Sequence, residues 1–413
     1  MGCLQKEKNE SKFSDINKRR LLIVATKQTR WIFSLLGVWP MLTKNTKNIE
    51  KRLSLVIQLI CQSFLFFIII PAAIQLYWCE KNMKIKLAYF GALGFTTACA
   101  VKYITIVYRR REIRECIEQI EKDWHEVVSE ETNQIMLKNI KISQRMTIIC
   151  GSFMYCGGVL HQTMIPFLPG SIVSIVDNSS RRLLVYPIYE VMFDDQITPT
   201  YEIMYLIHIV TGMIVCTIAI GSCHLSILFI THVSGQNQIM ISKLKNLMNT
   251  RDETIENMNQ CMREIIYFHH EIIKFSSNVE KCLREICLIA IFEALLIICL
   301  AEYYSMVAWK HNETFSAIIY FILVDAFIFN CFIFCHVGEI LQEQFRKVGE
   351  AVYMTEWYRL SHRNARALML IIAVIQHPPK LTAGGLIELS YNGFVSIIKS
   401  TAAYFNILRM TEF

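Results

Sequence analysis

Seven apolar windows, each long enough to cross a bilayer, divide this 413-residue chain: Leu53 to Trp78, Ile85 to Tyr108, Met146 to Leu168, Tyr201 to Thr231, Ile286 to Trp309, Phe315 to Val337 and Leu381 to Arg409. A hydrocarbon core ~30 Å thick takes roughly 20 helical residues, so the pattern predicts an all-α membrane protein with seven transmembrane helices. The stretches between the windows differ in charge. Alternate ones carry 12, 8, 6 and 6 Lys or Arg and the others 2, 2, 1 and 1, with Arg284, two residues before the fifth window, counted with that span and Arg409 at the outer end. Basic residues stay cytoplasmic when short loops are inserted. An odd number of spans with this bias predicts the N-terminus inside and the C-terminus outside.

Composition supports the same class. The chain is 53% apolar with 24 Phe, concentrated in long runs as in membrane proteins. The net charge of +7 is cytoplasmic-face charge, spread over every inner stretch and mixed with acids, which argues against nucleic acid as a partner. The first 52 residues hold twelve Lys or Arg and no long apolar core ending in a small-residue cleavage site, so the first span is expected to serve as signal-anchor. Most of the fifteen Cys fall in or beside apolar windows and no CxxC pair occurs; they read as small membrane-core residues, with neither metal nor cofactor implied.

Four regions follow. Residues 1–52 form a cytoplasmic segment whose Trp31 to Leu42 run is too short to span and is expected to lie at the interface, ended by Pro40. Residues 53–337 hold transmembrane helices 1–6. Residues 338–380 form a cytoplasmic helix region, terminated by Pro378-Pro379, and 381–413 hold the seventh helix. Arg109 to Arg145 and His232 to Cys282 keep helical apolar spacing among charges, as cytoplasmic extensions of the spans would. Gly384-Gly385, Glu388, Asn392 and Lys399 are unfavourable facing lipid, so the last window is expected to pack inside an assembly. Asn178-Ser179-Ser180 and Asn312-Glu313-Thr314 are glycosylation acceptors on the outer side, Asn178 the better placed.

Catalytic motifs are lacking: there is no nucleophile elbow, HExxH, P-loop or dinucleotide fingerprint. Of the intramembrane acids, Glu293 and Glu302 are nine residues and about 180° apart on one helix, so they do not converge on one site. With Asp325 they are candidates either for helix–helix hydrogen bonds or for an ion or ligand path. Span four gives a stripe, Tyr201, Met204, Tyr205, His208 and Gly212, within roughly 100° of one face in the outer half. Such a face combines apolar area with a few hydrogen-bonding groups, as small-molecule pockets do, although interhelical packing with Tyr at the headgroup belt accounts for it equally. Phe90, Phe95, His161, Tyr303 and Tyr304 reach similar depth and complete the candidate ligand-binding set. On the seventh span Ser396, Lys399, Ala403, Ile407 and Met410 share a face of small, polar and aliphatic residues, which suits a pore closed by a hydrophobic constriction at Ile407.

Gly338-Glu339 with Leu341, Ala351-Val352-Tyr353, Glu356-Trp357-Tyr358, Leu381-Thr382-Ala383-Gly384-Gly385, Leu389-Ser390, Phe394, Lys399-Ser400 and Tyr404-Phe405-Asn406-Ile407-Leu408-Arg409, with Gly37-Val38-Trp39-Pro40 near the N-terminus, follow a pattern that resembles the insect odorant receptors. This resemblance covers about a fifth of the chain. It implies an odorant-gated, non-selective cation channel in the plasma membrane of olfactory neuron dendrites, assembled as a heterotetramer with the shared odorant co-receptor. It further implies that a small volatile organic ligand binds in a cavity in the outer half of residues 53–337 among spans two to six, that the inner helical extensions with 338–380 form a cytoplasmic anchor, and that 381–413 hold the pore-lining helix beside which cations pass. Family members often carry Ser-Tyr-Ser-Tyr-Phe where this chain has Ser400-Thr401-Ala402-Ala403-Tyr404-Phe405, and Gln376-His377-Pro378-Pro379 replaces a more usual Gln-Arg-Pro. The co-receptor has a larger second inner loop, so this chain is similar to a ligand-tuning subunit. A seven-span G-protein-coupled receptor would place the N-terminus outside and carry DRY-type and NPxxY motifs. A gustatory-type channel would favour a Thr-Tyr…Gln-Phe ending.

Overall fold

Long apolar helices held side by side by their small and β-branched residues make up almost the whole molecule. The computed structural model describes residues 26–43, 46–79, 81, 83–126, 129–167, 184–187, 197–249 and 255–410. A helix over 26–35 (α1) and a short one at Trp39–Leu42 (α2) precede α3 (Asn48–Ile74), α4 (Met83–Tyr108), α5 (Arg110–Glu126) and α6 (Glu130–Met164). Then come α7 (Thr200–Asn249), α8 (Ile255–Lys310), α9 (Thr314–Tyr353), α10 (His362–Ile375), a hairpin of β1 (Thr382–Ala383) and β2 (Ile387–Glu388), and α11 (Tyr391–Met410). Five helices, α3, α4, α7, α8 and α9, are long and apolar enough to cross a membrane by length and composition.

At 1.5 Å per residue the 50 residues of α7 and the 56 of α8 run ~75 Å and ~84 Å, far beyond the ~30 Å of a hydrocarbon core. Both therefore continue past the apolar windows into the end of the bundle that carries the basic stretches. There α5 lays Ile113, Cys116, Ile117, Ile120 and Trp124 into the core, an i, i+3, i+4, i+7, i+11 stripe. Burial pushes the Cys116 thiol up to about 12, so it stays protonated and packs as a small apolar residue.

The segment 26–43 is bound into this end. His224 of α7 joins three helices through Thr29 Oγ1 at 2.8 Å and Thr147 Oγ1 at 2.9 Å. Tyr103 Oη donates to the Leu36 carbonyl at 2.6 Å, and Gln58 Nε2 to that of Gly37 at 2.7 Å. Phe33, Leu36, Val38 and Leu42 are buried while Trp31 and Leu35 are exposed, the two faces of an interfacial helix. Sequence reasoning placed the end of this helix at Pro40. The break instead falls at Gly37, whose φ of +66° suits only glycine at low cost, and Pro40 occupies the first turn of α2, where proline needs no hydrogen bond.

The seventh apolar window also begins differently. Residues 381–389 are not helical: Gly384 and Gly385, at φ +63° and +74°, close an antiparallel hairpin pairing Thr382 with Glu388 and Ala383 with Ile387. Positive φ at both central residues is what a type I′ turn requires; Leu386 N–H closes the turn by donating to the Ala383 carbonyl at 3.0 Å, and Gly384, Gly385 and Leu386 form a three-residue loop. The hairpin docks on α8, with Gly384 N–H donating to the Arg284 carbonyl at 2.8 Å and Thr382 Oγ1 to Glu280 at 2.7 Å. Helix α11 then starts at Tyr391, whose N–H donates to the Glu339 carboxylate at 3.0 Å, with Ser390 Oγ accepting from Gly393 N–H at 3.1 Å. Gly338 lets α9 press against the Leu389 carbonyl, a position any Cβ would overlap.

Candidate ligand-binding site

At the end of the bundle opposite the basic stretches, α4, α6, α7, α8 and α9 part around a cavity of about 90 Å³. By a measure in which one water takes ~10–15 Å³, that is the room of roughly six to nine water-sized groups. Small residues open it. Gly91 and Ala92 on α4, Gly158 on α6, Gly212 on α7 and Ala301 on α8 withdraw side-chain volume from the centre. Aromatic and aliphatic residues wall it: Phe95 meets Phe327 edge-on at 5.1 Å, His161 meets Tyr320 at 5.7 Å, and Tyr304 packs against Tyr320 at 5.7 Å. Leu300 and Leu323 complete the apolar part.

The fourth side is a short non-helical stretch, Leu184, Val185 and Tyr186, buried although it lies outside every helix. Tyr186 reaches in deepest. Its hydroxyl lies 3.0 Å from Thr96 Oγ1 and 2.9 Å from Gln162 Nε2.

Of the ligand-binding candidates read from the sequence, Phe95, His161 and Tyr304 line this cavity. Four of the five members of the span-four stripe stand one layer behind it. Tyr201 and Met204 pack on Leu184, His208 meets the Tyr186 ring edge-on at 5.1 Å, and Tyr205 donates from its hydroxyl to the Thr163 carbonyl at 3.1 Å. These four hold the 184–187 stretch over the cavity, and Gly212, the fifth member of the stripe, lines it directly. Tyr303 lies behind Tyr304 in the same aromatic cluster. Phe90 is half-exposed and does not line the cavity. Asn178 lies outside the described residues, and Asn312 sits in the tight α8–α9 turn at φ +60°.

Below the cavity, about one turn from Ile297 on α8 and two from Phe95 on α4, Lys102 and Glu293 form an ion pair at 2.6 Å with both side chains fully buried. An isolated charge there would be unfavourable by several kcal/mol, so each requires the other. Glu302 is half-buried and Asp325 is exposed. Among the described residues no group of His, Cys, Asp and Glu is arranged to hold a metal.

The aromatic cluster continues from the cavity wall to the last helix. Leu300, Tyr303, Tyr304, Val307 and Tyr320 are packed against Phe405 and Leu408 of α11. That helix buries Ile397 and Thr401. At 100° per residue, Ser396, Lys399, Ala403, Ile407 and Met410 lie about 115° to 175° from the mean direction of Ile397, Thr401, Phe405 and Leu408, and all five are exposed.

Three contributors were not singled out from the sequence. Lys102 was legible in principle, as a cation in the middle of an apolar window that must find a partner. Gln162 and Tyr186 were not, because Tyr186 lies outside every helix and the i, i+4 spacing of Met154, Gly158 and Gln162 on α6 carries no sign of the non-helical stretch that they meet.

The 7tm Odorant receptor family model matches residues 86–402. The chain is 23% identical over 341 residues to Odorant receptor 10 of Aedes albopictus, covering 80% of this chain and 85% of that protein. It is 20% identical over 343 residues to Odorant receptor Or2 of Anopheles gambiae, with coverage of 80% and 85%. The fold is that of the insect olfactory receptor OR5 from Machilis hrabei, solved in complex with eugenol, at a TM-score of 0.76 and 17% identity over 94% of this chain and 99% of that one. The chain is a multi-pass membrane protein and belongs to the odorant receptor family, whose members are receptors and not enzymes.

Proposed function

We propose that this chain is the ligand-tuning subunit of an odorant-gated, non-selective cation channel, assembled with the odorant co-receptor in the plasma membrane of olfactory neurons. In this reading seven helices cross the membrane, α3, α4, α6, α7, α8, α9 and α11, with the N-terminus inside and the C-terminus outside. The basic ends of α5 to α10 form the cytoplasmic anchor, and the cavity opens toward the outer side.

The observation that carries the proposal is the continuous packing from Tyr304 and Tyr320 in the cavity wall to Phe405 and Leu408 on α11. The opposite face of α11, with Ser396, Ala403, Ile407 and Met410, is left uncovered by its own chain. A volatile ligand that fills the cavity more tightly in one arrangement of Tyr304 and Tyr320 biases α11 through those contacts. Moving an equilibrium from 1:99 to 99:1 takes a differential affinity of ~5.5 kcal/mol, and smaller differences give graded opening. Ile407 acts as the hydrophobic constriction, which conducts when the helices separate and water enters. Lys399 shares the uncovered face, and a contact with a neighbouring subunit would keep its charge out of the cation path.

The test is odorant-evoked current on co-expression with the co-receptor, for the native chain and for Ile407→Asp. A carboxylate at the constriction is expected to wet it and give current without ligand. Robust evoked currents with unaltered gating in Ile407→Asp would remove Ile407 from this role.

A further inference from the structure

One amide oxygen in the cavity wall, that of Gln162, has no hydrogen-bond partner among the described residues. Thr96 Oγ1 lies 3.0 Å from the Ala92 carbonyl and 3.0 Å from Tyr186 Oη. Thr96 Oγ1 is the donor in both contacts, its one proton shared between the Ala92 carbonyl and the Tyr186 oxygen. The Tyr186 oxygen also accepts from Gln162 Nε2 at 2.9 Å. With its Nε2 engaged in this way, the Gln162 amide has Oε1 as its free end. Gln162 is nine-tenths buried and lines the cavity. Its Oε1 has no hydrogen-bond partner among the described residues.

Gly212 makes this arrangement possible. A Cβ at that position would stand 2.6 Å from Gln162 Cδ, so any larger residue would displace the amide. Elsewhere in the wall the Tyr304 hydroxyl already donates to the Leu87 carbonyl, Phe95, Leu300, Leu323 and Phe327 are apolar, and the His161 ring and the Tyr320 hydroxyl are further polar groups. A buried acceptor left unmatched is unfavourable, and a ligand that supplies the missing donor recovers that loss.

We infer that the cavity selects small, mostly apolar molecules carrying one hydroxyl donor, alcohols or phenols of roughly six to nine heavy atoms, and that Gln162 Oε1 accepts the hydroxyl proton. Ethers and hydrocarbons of the same shape fill the cavity but leave the acceptor unmatched. This rests on the cavity being the odorant site.

The experiment records evoked currents from the chain co-expressed with the co-receptor, using matched sets: phenol, anisole and toluene; benzyl alcohol, benzyl methyl ether and ethylbenzene. In the native chain the hydroxyl compounds should act at concentrations roughly five- to hundredfold lower than their ether and hydrocarbon partners. Gln162→Met keeps the volume and removes the acceptor, and should erase that preference while responses to the ethers persist. Gly212→Ala should do the same by displacing the amide. Two results overturn the inference and leave the cavity reading in place: equal potency across each set in the native chain, or a hydroxyl preference that survives Gln162→Met. A panel in which no hydroxyl compound evokes current overturns it too. Responses untouched by filling the cavity with Ala301→Trp would instead remove the cavity reading itself. The native-chain panel decides the question even if both variants fail to reach the surface.

Discussion

The two halves of the bundle share the same helices and are packed in opposite ways. In the basic half, α7 is buried without interruption from Ile218 to Asn237, its polar groups matched by partners such as His224 with Thr29 and Thr147. In the opposite half the same helix alternates between buried and exposed positions over 201–214, and glycines and alanines hold a cavity open. Close-packed interiors transmit displacement and resist it, whereas an open cavity gives up contacts that a ligand can restore. The contrast therefore assigns rigidity to the anchor and adjustability to the cavity, with the Lys102–Glu293 pair at the boundary.

The boundary gives the largest expected effect. Lys102→Met leaves Glu293 charged and alone in an apolar interior, at a cost of ~3–5 kcal/mol. Surface expression and thermal stability in detergent should both collapse. Lys102→Met combined with Glu293→Met removes both charges and should recover most of the loss; no recovery would mean that the pair does more than neutralise itself.

A smaller effect is confined to the anchor. Gly338→Ala forces a methyl group into the Leu389 carbonyl and should cost ~1–3 kcal/mol as overpacking, read as lower surface yield. The ligand concentration for half-maximal current in the receptors that do assemble should stay close to native. A large shift in that concentration would show that the α9–α11 junction belongs to the adjustable half.

The smallest effect is confined to the cavity. Tyr304→Phe removes the hydrogen bond to the Leu87 carbonyl, worth ~0.5–1.5 kcal/mol, and keeps the ring against Tyr320. Yield should hardly change, while ligand sensitivity shifts severalfold. A stability loss without a sensitivity shift would make Tyr304 an anchor residue.

The sequence disclosed these halves unevenly. Helix positions and the basic asymmetry were legible because apolar runs and charges are properties of consecutive residues. The motif residues Gly338, Glu339, Gly384 and Ser390 pointed to the family, and the fold shows what they build: a close approach of α9 to Leu389, a cap on Tyr391, a hairpin turn and a helix start. The cavity was legible only in part. Phe95, His161 and Tyr304 could be placed by depth along their helices, but Gln162 and Tyr186 meet because a non-helical stretch folds between helices, and no periodicity encodes that. The start of the last helix was misplaced for a related reason, since Leu381 to Leu389 is apolar enough to read as a span yet carries the glycine pair that turns it into a hairpin.

The central claim, that the cavity between α4, α6, α7, α8 and α9 is where ligand acts on α11, is tested most directly by Ala301→Trp. Its indole would occupy the cavity that Ala301 now helps to keep open. Dose–response curves recorded from the co-expressed pair, with surface levels matched to the native chain, should show evoked current lost or moved at least about a hundredfold in concentration, the effect of a displacement worth ~2.7 kcal/mol. A native dose–response curve in that variant would contradict the account.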